Sequence, residues 1–277
     1  MSNYYVKTPT TNMRKQPNLK SEIISQGYFS EGVKVLEKTD EWTKIETSID
    51  QFQGWVEKHS LCKRKTPFPS NPSATFAKVN RCKAHVYDKQ DTIYGPILTL
   101  PFDSLLEIIE PDNIINSRWI KVLLVDGRKG YIQRGDVTLD FALLNCDQIC
   151  TLSKQFLGLP YTWGGRSGFG YDCSGFVQML YRQMGVFLPR DSKMQMHWKG
   201  FTPLELKHLS PADLIFFGSS VDKICHVGLS LGGNQFIHAT VAENSPFIHI
   251  SSLSDPTWDG SGQFTYRNAC QLITPPF

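Results

Sequence analysis

The chain lacks a membrane-spanning run. No stretch of its 277 residues approaches the roughly 18 consecutive apolar residues that a transmembrane helix needs. The opening "MSNYYVKTPTTNMRKQPNLK" has no apolar centre of the kind a secretory signal requires, so a cytoplasmic location is expected and membrane insertion is not. A net charge of +3 is too small to argue for a nucleic-acid partner or an anionic bilayer, and nothing points to a protein partner. Paired cysteine spacings are also missing. There are seven cysteines, an odd number, and only Cys146 and Cys150 lie close together. Without an export signal, reduced thiols are the better reading. Cys146 and Cys150 share one face of an expected helix but have no second ligand pair, so they read as core rather than a zinc site. What remains is ordinary for a globular chain, 40% hydrophobic and 20% charged, and long enough for two or three domains.

A repeat is present. "EWTKIETSIDQFQGWVEKHSL" (41–61) and "RWIKVLLVDGRKGYIQRGDV" (118–137) match at Trp42 and Trp119, at Lys44 and Lys121, and at Gly54-Trp55 and Gly130-Tyr131. The offset is 77 residues at the first two matches and 76 at the third, so one residue is inserted between them. Each copy alternates apolar and polar residues, as half-buried strands of a small barrel would. Between the copies, "CKRKTPFPSNPSA" (62–74) is proline-rich and basic with no apolar period, and reads as a linker with a solvated charge run. Two all-β domains are therefore expected over 1–63 and 76–140, joined by a linker at 64–75.

From about residue 141 to 277 the pattern changes. Ile149, Leu152 and Phe156 recur at helical spacing up to Gly158. After a glycine-rich loop, Phe176, Val177, Leu180, Tyr181 and Met184 line one face of a helix that starts near Cys173 and stops at Gly185. "DLIFF", "HVGLSL", "NQFIHAT" and "FIHISSL" then read as strands. Helices followed by an antiparallel sheet make an α+β domain.

Cys173 would sit in the first turn of its helix, where unpaired N–H groups and the helix dipole favour an anion. A thiol there is expected to be partly exposed, with a lowered pKa. A buried structural thiol is the competing reading. Gly164, Gly165, Gly168 and Gly170 would let a substrate approach the backbone, or simply turn the loop. A thiol nucleophile needs an imidazole, and the imidazole needs an orienting group. His226 and His238 flank a Gly-Gly-Asn turn at 232–234. A three-residue loop pairs Leu231 with Gln235, places Gly228 opposite His238, and leaves His226 diagonal to it on the same face. A two-residue loop would put the two histidines on opposite faces. His59, His85, His197, His208 and His249 read as structural or surface residues.

"PYTWGGRSGFGYDCSGF" (160–176), "RDS" (190–192) and "HVGLSLGGNQFIHA" (226–239) resemble the NlpC-type cell-wall cysteine peptidases, whose core is papain-like. The duplicated N-terminal segments resemble bacterial SH3-like barrels. The resemblance implies a γ-D-glutamyl–diamino acid endopeptidase acting on peptidoglycan-derived peptides, with no metal or cofactor. It implies Cys173 as nucleophile, His226 as base and then acid, and His238 as orienting residue. Tyr161 and the Cys173 N–H would face the developing oxyanion. Trp163, Asp172 and Ser174 would line the cleft, though Trp163 could be core and Asp172 could cap the helix. Asp191 and Ser192 match a pair that binds a free peptide amine, although Asp191 also fits a solvated loop, and Glu31 in "GYFSEG" would be the first barrel's acidic contribution. The substrates implied for a cytoplasmic member are small recycled muropeptides. Competing readings are a wall-binding scaffold with an idle peptidase domain, and an amidase or acyltransferase using the same thiol. One departure is Pro211-Ala212-Asp213-Leu214, where the family carries Pro-Gly-Asp-Leu.

Overall fold

The computed structural model describes residues 4–68, 75–111, 114, 116–139, 141–262 and 264–273. Of the expected linker, residues 69–74 lie outside the described residues. The fold is mostly sheet, with three α-helices among the described residues. It divides into two compact units, Met1–Ala142 with Ser167–Phe169, and Leu143–Arg166 with Gly170–Phe277.

The first unit opens with β1 (Tyr4–Val6), β2 (Thr10–Arg14), β3 (Ile23–Tyr28), β4 (Gly32–Lys38), β5 (Trp42–Thr47), β6 (Gln53–Glu57) and β7 (Leu61–Lys63). They form one sheet in the order β3-β2-β6-β5-β4-β1-β7. Next come β8 (Phe76–Val79), β9 (Lys83–Tyr87), β10 (Leu98–Pro101), β11 (Leu105–Ile108), β12 (Trp119–Leu123), β13 (Lys129–Gln133) and β14 (Val137–Thr138). Their order, β10-β9-β13-β12-β11-β8-β14, repeats the first with each strand advanced by seven. The duplication thus extends to topology and register. Lys44 lies opposite Trp55, and Lys121 lies opposite Tyr131. The inserted residue falls in the turn, residues 47–52 in the first copy against 124–128 in the second. Val6, Met13, Val33, Ile45 and Val56 form one core. The second core is built on residues such as Val86, Leu106, Ile120 and Ile132, and it takes in Tyr5, Phe29 and Phe68 from the earlier part of the unit.

The second unit begins with α1 (Cys146–Ser153), capped by Asn145 in a reciprocal box with Gln148. The short strands β15 (Arg166–Ser167) and β16 (Gly170–Tyr171) close the glycine-rich loop ahead of α2 (Cys173–Gln183). Beyond α3 (Ser192–Met196) lie β17 (Phe201–Leu204), β18 (Leu214–Gly218), β19 (Ile224–Gly232), β20 (Gln235–Thr240), β21 (Phe247–Ser252) and β22 (Tyr266–Leu272). The sheet runs β17-β22-β18-β19-β20-β21, with antiparallel pairing throughout.

Helix α2 packs on β19 and β20 and is buried along almost its whole length, with Phe176, Val177 and Leu180 fully enclosed. Burial of each such side chain contributes about 1.5–3 kcal/mol. The helix ends in a Schellman motif. Gly185 takes φ +79°, its N–H donates to the Arg182 carbonyl, and the Val186 N–H donates to the Tyr181 carbonyl. Ahead of β18, Ala212 holds φ +74° where glycine would be unstrained. Its N–H donates to the Ser230 carbonyl and its own carbonyl accepts from the Tyr181 hydroxyl at 2.6 Å, so the strained conformation is tied down on both sides.

Candidate active site

Cys173 is the first residue of α2. The turn it starts lies directly against the glycine-rich loop, since a Cβ on Gly175 would come within 2.2 Å of the Gly165 carbonyl oxygen. The third residue of "CSG" is therefore dictated by backbone packing. Asp172 is the N-cap, and its Oδ1 accepts from the Gly175 N–H at 2.7 Å. The same carboxylate receives both arms of Arg190, with Nη1 to Oδ1 at 3.0 Å and Nη2 to Oδ2. Arg190 Nη1 also donates to Ser174 Oγ at 2.9 Å, and its side chain is buried. A paired, bidentate buried guanidinium fixes the geometry on both sides of the nucleophile.

The hairpin of β19 and β20 turns on two residues, Gly233 and Asn234, because Gly232 rather than the expected Leu231 pairs with Gln235, and a bulge at Leu231 restores the register that a three-residue loop would have given. Leu229 faces Ile237 and Ser230 faces Phe236, while the turn closes at Gly232–Gln235 across an irregularity at Leu231. The two histidines consequently meet, with His226 Nε2 and His238 Nδ1 2.7 Å apart. His238 Nε2 lies 3.1 Å from Ser251 Oγ on β21. Four aromatic rings wall the pair in. Phe217 and Trp258 have centroids 5.8 and 5.1 Å from the His226 ring, Phe264 stacks on it at 6.0 Å, and Phe236 lies 4.5 Å from His238.

The electrostatics differ from the sequence expectation. Cys173 is 8% exposed, and burial pushes its thiol up to about 12, with the Asp172 carboxylate adding to the rise. The helix N-terminus does not offset desolvation of that size. Burial drives His226 down to about 3, helped by the nearby His249, and carries His238 in the same direction. Burial thus favours the neutral form of both thiol and imidazole. The Cys173 sulfur lies 4.0 Å from the carbonyl oxygen of Cys225, the residue before His226. The exposed thiol of this region is Cys225, not Cys173.

The remaining expected residues are placed as follows. Tyr161 bridges to Tyr171, and burial together with the neighbouring Cys173 and Asp172 raises its hydroxyl pKa. Trp163 is 63% exposed, which removes the reading of it as core. Asp191 is exposed at the start of α3, where it makes no side-chain cap, and Ser192 beside it is buried. Glu31 is buried in the first unit, where its Oε2 lies 3.4 Å from the Tyr28 N–H. Sequence reasoning missed four side chains that touch this machinery: Arg190, Ser251, His249 and Trp258. His249 lies directly opposite His238, ring centroids 4.9 Å apart, although it had read as structural or surface. Arg190 lies in the "RDS" segment, whose arginine was given no role, and the other three are brought in by strand pairing and loop closure.

Comparison with known proteins follows the same division. The bacterial SH3 domain family matches residues 9–61, which span β2 to β6, and the NlpC/P60 family matches residues 158–262. The chain is 31% identical over 152 residues to the "Probable endopeptidase NlpC homolog" of Haemophilus influenzae, a match covering 54% of this chain and 78% of that protein. The chain belongs to the NlpC/P60 family. It is 28% identical over 250 residues to the γ-D-glutamyl-L-lysine dipeptidyl-peptidase of Bacillus cereus, covering 85% of this chain and 72% of that one. The crystal structure of an NlpC/P60 family protein from Bacillus cereus has the same fold, with TM-score 0.83 and 22% identity over 98% of this chain and 99% of that one. No helix of this NlpC/P60 chain is long and apolar enough, among the described residues, to cross a membrane.

Proposed function

We propose that this chain is a cysteine endopeptidase cleaving the bond between γ-D-glutamate and a diamino acid, lysine included, in peptides derived from peptidoglycan. The observation that carries the reading is the His226–His238–Ser251 series beside the Cys173 helix, in a chain similar to a named γ-D-glutamyl-L-lysine dipeptidyl-peptidase. In this reading residues 1–63 and 76–140 are two SH3-like barrels joined by 64–75, and 141–277 is a papain-like catalytic domain. The identical strand orders of the two seven-stranded sheets support the pair of barrels.

Chemistry starts from the neutral pair. His226 keeps its proton on Nε2, donated to His238 Nδ1, which leaves Nδ1 of His226 as the base. As Cys173 Sγ attacks the γ-carbonyl carbon, its proton passes to that nitrogen. The Cys173 N–H and the Tyr161 hydroxyl stabilise the oxyanion. Collapse of the intermediate transfers the proton from His226 to the departing amine and leaves a γ-glutamyl thioester. Water, deprotonated by His226, then releases the acid and the thiol. Trp163 and Ser192 line the cleft. Asp172 and Ser174 act there through Arg190, since the carboxylate already holds a cap and a bidentate partner. Asp191 receives the free amine of the leading L-Ala; a dipeptidyl-peptidase by its name removes two residues from such an end.

The test is mass spectrometry of products from L-Ala-γ-D-Glu-L-Lys, its N-acetyl form and intact sacculi. Release of L-Ala-γ-D-Glu from the free tripeptide is expected, slower cleavage of the acetylated form, and no digestion of sacculi. Cleavage at a different amide, or no cleavage at all, overturns the reading.

A further inference from the structure

The proposed reaction puts a positive charge on a ring that, among the described residues, no carboxylate contacts. When Cys173 attacks, His226 becomes an imidazolium. It does so in a buried site whose hydrogen-bond partner is the neutral His238, and the nearby His249 disfavours the charge. Some feature of the site must compensate. What surrounds His226 is π-density. The Trp258 ring lies 5.1 Å from the His226 ring at an interplanar angle of 32°, and Phe264 lies 6.0 Å away at 29°. Trp258 and Phe264 are themselves stacked, 4.8 Å apart and 7° from parallel. Such separations and tilts set a cation over an aromatic face.

We propose that Trp258 is a positioning residue for His226, holding the ring in place and stabilising its imidazolium form through the indole face. The proposal rests on the reading of His226 as the base. Plain core packing would explain a large apolar residue here, but three details favour the narrower role. Trp258 is fully buried and touches both histidines, with His238 4.8 Å away and nearly perpendicular at 79°. Its loop is braced at the backbone, since Arg267 Nη1 donates to the Trp258 carbonyl at 3.1 Å and to the Leu253 carbonyl at 3.3 Å. Tryptophan also presents the strongest aromatic face for a cation. Neutral imidazole gains little from that face and imidazolium gains much, so the contact strengthens as the reaction proceeds.

The experiment compares Trp258→Phe, which keeps an aromatic face, with Trp258→Leu, which keeps only apolar bulk. Two rates are read on each folded variant, checked by its melting temperature. One is kcat on the tripeptide. The other is alkylation of Cys173 by iodoacetamide, followed by mass spectrometry with Cys225 as internal control. Alkylation needs no peptide, so it tests Trp258 even if the proposed substrate is wrong. For Trp258→Leu, kcat and Cys173 labelling should both fall on the order of 10- to 30-fold, with KM and Cys225 labelling within about twofold of wild type. Trp258→Phe should retain most of both rates. If Trp258→Leu does not fold, Phe264→Leu takes its place, with an expected loss of roughly 3- to 10-fold. Wild-type labelling in the leucine variant, or equal losses in the leucine and phenylalanine variants, would overturn the proposal.

Discussion

His226 Nε2 and His238 Nδ1 are 2.7 Å apart, and a single proton lies between them. Its owner follows from the far end of the series. If His238 Nε2–H donates to Ser251 Oγ, then His238 Nδ1 must accept, and His226 is held with its proton on Nε2. His226→Ala should therefore lower kcat/KM by at least about 10³-fold. His238→Ala should cost less, with His238→Gln recovering part of the loss. Ser251→Ala should cost roughly tenfold and Ser251→Thr should restore it, because the hydroxyl fixes a tautomer rather than moving a proton. Steady-state kinetics on the free tripeptide reads all five. Near-wild-type activity in His226→Ala would remove it as the base.

The Arg190–Asp172 pair makes a stability prediction. Arg190→Met leaves a buried carboxylate without its cation, which costs about 3–5 kcal/mol. Adding Asp172→Asn keeps a capping oxygen and removes the orphan charge, so the double variant should be more stable than Arg190→Met alone. Urea denaturation of the two singles and the double gives the coupling. Additive losses would mean the pair is not energetically linked.

Ala212→Gly should stabilise the fold by about 1 kcal/mol, because alanine at φ +74° carries a left-handed penalty that glycine lacks. Both backbone hydrogen bonds at that residue survive the change. A lower melting temperature in the variant would show that the strain is relieved some other way.

Acid should unfold this protein earlier than a protein without a buried imidazole. His226 has its unfolded value near 6.5 and its folded value near 3. Within that window the unfolded chain binds the extra proton, so stability falls as pH drops below about 6.5 and levels off only below about 3. The loss is on the order of a few kcal/mol. Urea midpoints between pH 4 and 7 should show the slope, and His226→Gln should reduce it, the remainder coming from the buried His238. In the same range Cys173, raised to about 12, should give no thiolate absorbance at 240 nm.

Asp191 calls for a smaller effect than a buried carboxylate would produce. Because it is exposed, water replaces a missing ammonium, and N-acetylation of the substrate should cost up to about tenfold through this residue. Asp191→Asn should narrow the gap between free and acetylated tripeptide, read as the ratio of the two kcat/KM values. An unchanged ratio would remove Asp191 from amine recognition.

Much of the molecule was legible in the sequence wherever the information was local. The α2 boundaries follow from an Asp cap, an apolar face and Gly185. The repeat shows in a handful of aligned residues around Trp42 and Trp119. The meeting of His226 and His238 could be argued from the register of one hairpin, although a bulge at Leu231 rather than a three-residue loop supplies that register. The sequence did not show what depends on long-range closure. Strand β22, "YRNACQL", has no clean alternation because it is a central strand between β17 and β18. Ser251 and Trp258 reach the histidines only after β21 has paired with β20 and the following loop has folded back. The thiol's environment was misjudged for a related reason. Helix position is a local property, whereas desolvation is set by every element that covers the site.

The bulge at Leu231 makes the site sensitive to arithmetic. Deleting Leu231 alone would remove the bulge, shift everything beyond it by one position and send His238 to the other side of the sheet. Changes of two residues would leave the faces as they are. Among natural variants of this hairpin that remain active, an odd change in turn length should therefore come with the gain or loss of a bulge, a constraint on insertions and deletions that falls on residues touching neither thiol nor substrate.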